Sequence, residues 1–295
     1  MELARLFKLA IEFGKDRDPR KSIKKEKLSY ADSAILYGNK NKEIRKILVG
    51  IDIDVGEILL ADKIRQREGL DLVISHHPRG FAWAGFYEVM KMQIDMLVNL
   101  GITKKIACEL TEKRIKETER KVLPANHSRA VDVARLLDIP FICLHTPADN
   151  CVYDFMQRLM NRKKPKTLKD IIEGLRKIPE YRIAEKNKSG PRIILGRPKD
   201  KAGRILVEMT GGTEGSKEIF GRLSQVGINT LLCMHLSEEH FKRIEREYLN
   251  VVVSGHIASD TLGLNLLLDR LEKEEKFQIT ECSGFRRIPH GFNLR

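Results

Sequence analysis

Cysteine is scarce in this 295-residue chain, and the five that occur (Cys108, Cys143, Cys151, Cys233 and Cys282) are scattered and never spaced C-x-x-C. An odd, unpatterned set excludes a disulfide framework and a cysteine zinc site, and leaves small core residues. Long apolar runs are missing too: none reaches the roughly 18 residues of a membrane span. The opening "MELARLFKLAIEFGKDRDPR" lacks the long apolar core and cleavage site of a signal peptide and reads as an amphipathic helix, so a cytoplasmic location is expected. No low-complexity segment and no short-period repeat occurs. At 42% apolar and 32% charged residues, the chain is too apolar to be wholly disordered, and it is long enough for one large domain or two ordinary ones.

Acidic residues are outnumbered, 41 against 54 Lys and Arg, for a net charge of +13. The basic runs 15–27, 161–166 and 196–204 have no interleaved aromatics and match no nucleic-acid motif. Solvated surface and contact with phosphate-bearing partners, nucleic acid included, both stay open. Abundant Lys and Glu with few Gln suit a thermophilic source.

What is present is alternation. Strands are expected at 46–52, 70–76, 139–145, 204–210, 228–234 and 250–255. Helices are expected at 57–68, 83–122 with a break near Gly101, 128–137, 150–162, 167–178, 215–226, 236–248 and 257–273. Residues 181–196 read as two short strands about the turn "KNKSGP". This pattern predicts an α/β fold with largely parallel sheets. The proline-containing basic stretch 161–166 divides it into two similar lobes, 1–160 and 161–295.

Histidine positions carry the chemistry. His76, His145, His235 and His256 sit at or just past the carboxyl ends of predicted strands, where open α/β sheets build ligand sites. His77 follows His76, and Pro78 turns the chain there, so the two need not face opposite ways. Asp149 lies four residues after His145, and Asp260 four after His256. At that spacing on a helix, a histidine and a carboxylate share a face and can chelate one metal or flank two. His127 reads as preceding or capping a helix, and His240 and His290 as structural or surface residues; His235 is open between a role and none.

Two further features have two readings each. "TGGTEGS" (210–216) joins a predicted strand to a helix. Gly211, Gly212 and Gly215 there form either an anion loop at a helix N-terminus or an ordinary tight turn. It is not a Walker A sequence, since the lysine is missing. Trp83, with Phe81, Phe86 and Tyr87, either walls a cleft or belongs to a core or subunit contact.

"ISHHP", "HTPAD" and "SGHIASD", in that order, resemble the NGG-interacting factor 3-like family, also called GTP cyclohydrolase 1 type 2 homologues or dinuclear metal-centre proteins. The resemblance runs from about Lys46 to Asp269, with a poor match over 102–126. It implies His76, His77, Asp149, His256 and Asp260 as ligands of two divalent ions. Asp260 stands where the family motif has glutamate, one methylene longer. It also implies metals in the cleft between two similar α/β lobes, and a homohexamer. Nitrogen and oxygen donors suit Zn, Fe, Mn, Co or Ni. His145 is then a residue behind the ligands, orienting Asp149 or relaying a proton. Metal-assisted hydrolysis of a small, nucleotide-like substrate is the first functional expectation. A non-enzymatic metal-binding regulator, metal-handling protein or scaffold is the second.

Overall fold

Leu3, Leu6 and Ala10 recur at helical spacing, and helix α1 (Leu3–Asp16) buries all three. The computed structural model of the chain describes residues 1–20 and 23–291. Lys21 and Ser22 of the basic run 15–27, and residues 292–295, lie outside the described residues. After α1 come β1 (Ala34–Tyr37), β2 (Lys46–Gly50), α2 (Val55–Glu68) and β3 (Leu72–Ser75). Asp54 caps α2, and Glu57 returns a bond to the Asp54 N–H, so the chain turns sharply after β2. The predicted long helix at 83–122 is instead α3 (Gly80–Ala84), a 3-10 stretch, α4 (Met92–Asn99) and α5 (Lys104–Val122). Its break falls at Gly101, whose φ of 104° only glycine adopts readily. Then follow α6 (Arg129–Leu136), β4 (Phe141–Cys143) and α7 (Thr146–Lys163).

The second half continues with α8 (Leu168–Leu175), α9 (Pro179–Lys186), β5 (Arg192–Leu195) and β6 (Arg204–Glu208). Residues 181–196 therefore hold a helix and one strand, not two strands. Pro179 opens α9 in its first turn, where a missing N–H costs nothing, and Tyr181 and Ala184 bury one face. The chain ends its described course with α10 (Phe220–Gln225), β7 (Ile228–Cys233), α11 (Glu238–Arg246), β8 (Asn250–Val253), α12 (His256–Leu271) and β9 (Gln278–Cys282).

One sheet has the order β1-β4-β3-β2-β9 and the other β5-β8-β7-β6. The first four strands of each half thus repeat one arrangement, and the α/β fold is two-lobed. The sheets are mixed rather than purely parallel: β1 runs antiparallel to β4, and β5 to β8, each with a register irregularity. The parallel centres align their carboxyl ends, Gly50–Ser75–Cys143 in one sheet and Glu208–Cys233–Val253 in the other. Loops leaving each row therefore meet neighbours from the same row.

Two exchanges cross a division at 161–166. Strand β9 pairs in parallel with β2, in the first sheet. Ile102 and Ala107, with Ile94 and Leu97 of α4, pack in one cluster with Phe220, Leu231 and Val251 of the second lobe. Helices α7 and α12 lie between the sheets. Ala148, Cys151, Leu264 and Leu268 face the first-sheet core, while Val152, Met156 and Leu262 face the second. Each buried Leu, Val or Met among them contributes roughly 1.5–3 kcal/mol. No helix among the described residues is long and apolar enough to cross a membrane.

Candidate metal centre

β3 ends at Ser75, and the chain does not leave the sheet at once. The N–H groups of His76 and His77 still donate to Gly50 O and Ile51 O, at 2.9 and 3.0 Å. The Ser75 hydroxyl then donates to His77 O at 2.6 Å, bending the backbone. The two imidazoles end on the same side, with ring centroids 5.1 Å apart. At the next strand, His145 is the N-cap residue of α7 and Asp149 lies in its first turn. In the second lobe, Gly255 takes φ 108°, and His256 opens α12 with Asp260 one turn on.

These residues converge. His76 Nε2 is 3.4 Å from Asp149 Oδ1 and 3.5 Å from Asp260 Oδ1. His77 Nε2 and His256 Nε2 each lie 3.4 Å from Asp260 Oδ2. The His145 ring is 4.8 Å from that of His76. Donor atoms of three overlapping groups stand within 4.8 Å of one another: His76–His77–His145, His77–His256–Asp260 and His76–Asp149–Asp260. The structure thus brings His76, His77, His145, Asp149, His256 and Asp260 to one place, where the lobes meet.

The spacing suits a cation better than direct hydrogen bonds. His76 Nε2, Asp260 Oδ1 and Asp260 Oδ2 are buried and have no hydrogen-bond partner. Charge-assisted bonds between such groups close to about 2.7–2.9 Å. Donors placed 2.0–2.2 Å from a shared tetrahedral ion instead stand about 3.4 Å apart. Leaving three charged or polar atoms unpaired in the interior would cost several kcal/mol, which a divalent ion in their midst removes. The histidines are also aimed. His77 Nδ1 is 2.8 Å from Asp52, His145 Nδ1 is 2.7 Å from Asp32, and His76 Nδ1 faces Leu144 O at 3.3 Å. Each uses one ring nitrogen outside the cluster and turns the other inward, as ligating histidines do.

Electrostatics within the cluster are tightly balanced. Burial alone would depress His76, but Asp260 and Asp149 outweigh it and lift its pKa to about 10. Burial opposes the ionised Asp260, yet His76, His77 and His256 hold its carboxyl far below the usual range. Burial drives His256 down to about 4, against Asp260, with His235, His77 and His76 adding to the fall. No cysteine belongs to the candidate groups among the described residues. Cys143 is kept a thiol by burial, at about 12.

Beside the cluster is a cavity of about 50 Å³, lined by Glu208, Thr213, Glu214, His235, His256 and Asp260 among others. The 210–216 loop forms one wall, and its glycines pack against the first lobe. Gln93 Nε2 donates to Gly211 O at 2.7 Å and Thr213 O at 2.8 Å. A Cβ on Gly215 would come 2.9 Å from Gln93 Oε1, and one on Gly212 3.2 Å from Met90. The close approach that Gly211, Gly212 and Gly215 permit is thus to the first lobe. A short 3-10 turn, Lys217–Ile219, capped by Ser216, follows the loop and leads into the six-residue α10 at Phe220. The loop brings in Glu214, whose carboxyl falls to about 2 because His235 and the Ser237 N–H outweigh burial.

His235 lines the cavity, its ring 4.7 Å from His256 and its Nδ1 3.6 Å from Glu214. His127, His240 and His290 are engaged elsewhere, by Val122 O, Gly215 O and Glu180. Trp83 packs edge-on against His127, and Phe81 is exposed; of that cluster, Phe86 comes nearest the centre, 5.6 Å from the His145 ring. Sequence reasoning passed over Asp32, Asp52, Glu208 and Glu214. Asp52 and Glu208 lie at strand carboxyl ends and were open to the same positional argument as the histidines; Asp32 had no such signal.

No protein-family model and no curated protein sequence matches the chain. Solved structures do. The chain is similar to a NIF3 superfamily protein from Sphaerobacter thermophilus, with 27% identity over 97% of this chain and 99% of that one, and a TM-score of 0.79. It shares its fold with reduced HcgD from Methanocaldococcus jannaschii, with 17% identity over 95% and 97% and a TM-score of 0.56. The same holds for TTHA1606 from Thermus thermophilus, with 14% identity over 99% and 100% and a TM-score of 0.54.

Proposed function

From a chain that belongs by structure to the NIF3 superfamily and brings these groups together, we propose a protein that binds two divalent ions and uses them to hydrolyse a small substrate. The unpaired atoms of His76 and Asp260 carry the reading. An inner ion would be held by His76, Asp149 and Asp260 Oδ1, and an outer ion by His77, His256 and Asp260 Oδ2. Asp260, one turn into α12, turns Oδ1 towards His76 and Oδ2 towards His77 and His256, so one oxygen could serve each ion. When bound, the ions supply Lewis acidity and a water that ionises near neutral pH. The outer position has three protein donors, and His256 is 40% exposed, so a place for water or substrate remains there. Glu208 and Glu214 on the facing wall disfavour a phosphate and favour a neutral or cationic group. The cavity holds about one or two waters, so anything as large as a nucleotide enters only if the 210–216 loop moves.

Elemental analysis of protein purified without chelators should find two divalent ions per chain. His76→Ala and His77→Ala should each lose metal. An alanine pair at both positions that keeps full metal content overturns the ligand assignment. Hydrolysis of small cyclic amides or esters should appear in the loaded protein and vanish on chelation. A fully loaded protein inert towards all of these would leave the metal-handling reading in its place.

A further inference from the structure

We infer that Asp32 fixes His145 as a fourth protein donor to the inner ion, which makes Asp32 a positioning residue for the centre; the inference rests on the metal-centre reading above. Asp32 is fully buried just before β1. Its Oδ2 is 2.7 Å from His145 Nδ1 and accepts the Thr146 hydroxyl at 2.6 Å. Its Oδ1 accepts the Ser33 hydroxyl at 3.2 Å. The same corner is tied through the backbone: the His145 N–H donates to Ser33 Oγ at 3.0 Å, and the Cys143 thiol approaches Asp32 O at 3.5 Å. Among the described residues, His145 is the only cationic-type side chain in ion-pair range of Asp32.

A carboxylate is an acceptor only, so the hydrogen between the two groups sits on His145 Nδ1. That sets the tautomer and leaves the Nε2 lone pair as the imidazole's free donor. Nε2 lies 3.7 Å from Asp149 Oδ2, beyond hydrogen-bond range and near the edge length of a tetrahedral donor shell. The ring is largely buried and lines the cavity beside the centre. Its donor atom groups with those of His76 and His77, beside the His76–Asp149–Asp260 set. A buried carboxylate with no lysine or arginine is itself costly; an ion bound at the far nitrogen of the imidazole would offset that charge. This moves His145 from behind the ligands into their number. A purely structural His145, held by Asp32 to cap α7, would not need Nε2 turned inward.

The test uses the full chain, stripped of metal and titrated with Zn(II) and, in parallel, Co(II). The tighter of two binding steps should weaken roughly 10–100-fold in Asp32→Asn, as for other partners of ligating histidines, and further in His145→Ala. The weaker step should stay within about threefold. The intense visible bands of four-coordinate Co(II) at the tight step should fade in His145→Ala. On the unmodified protein, long-range ¹H–¹⁵N correlation should show His145 protonated at Nδ1, with its Nε2 resonance moving when the first ion binds. That readout holds even where a variant fails to fold. Two tight ions with unchanged affinity in both variants, or a His145 Nε2 resonance indifferent to metal, overturns the inference and leaves the metal centre standing. An unmodified protein that takes up no metal overturns both.

Discussion

His76 occupies a position that, without metal, only a proton can satisfy. Its pKa is lifted to about 10, above the ordinary value near 6.5, because Asp260 and Asp149 outweigh burial. The metal-free protein gains stability from this proton below about pH 6.5 and loses it as pH rises through 10. A cation must displace the proton, so apparent metal affinity should climb about tenfold per pH unit from 7 towards 10 and flatten above it. Calorimetry in buffers of different ionisation heat should count about one proton released from this group near pH 7.5; a count of zero would mean that His76 is not displaced. At this scale the sequence was largely readable. His76, His77, His145, Asp149, His256 and Asp260 stand out because strand ends and i, i+4 spacing are one-dimensional signals. Asp32 gave no such signal, since its partner is 113 residues away and only β1–β4 pairing brings them together.

Helices α7 and α12 fix how far apart Asp149 and Asp260 stand. They cross where Gly263 meets Ala148: a Cβ on Gly263 would lie 2.5 Å from Ala148 O. Gly263→Ala gains about 1 kcal/mol of helix propensity but forces apart a packed crossing, at about 1–3 kcal/mol. The clash should win, with a net loss of about 1–2 kcal/mol seen in chemical denaturation. Metal affinity should fall with it, because both carboxylates ride on the displaced helices. A variant as stable as its parent, with equal affinity, would show that the crossing does not set the site. Elements were legible where apolar periodicity is long, as in α12, and illegible where it is short. β1 and β9 are only four and five residues, and mostly half-exposed or exposed. α9 was misread because its alternation "YRIA" fits a strand equally well until Pro179 is taken as a helix start.

At the scale of the molecule, the lobes are fastened together beside the centre. Gln93 holds the 210–216 loop from across the interface, and Arg114 Nε donates to Glu214 O at 3.1 Å. Gln93→Ala removes two hydrogen bonds worth about 1 kcal/mol each. Amide exchange in residues 211–216 should speed up several-fold while the affinity for the inner ion stays the same. Unchanged exchange would mean that packing by Met90 and Phe86, rather than Gln93, holds the loop. The two-lobed plan was visible in the sequence as a repeated alternation. The crossings were not: nothing local says that α4 and α5 lean on the other lobe.

The placement of β9 beside β2 governs when the centre can come into being. A ribosome delivers β2 and β3 early, and with them His76 and His77, but the neighbour that completes their sheet emerges only after α12. His256 and Asp260 also arrive in that last stretch. During synthesis the early strands therefore wait with one edge unpaired, and pairing across so long a separation is intrinsically slow. A nascent chain stalled before α12 should therefore lack a finished first sheet as well as His256 and Asp260 of the candidate centre.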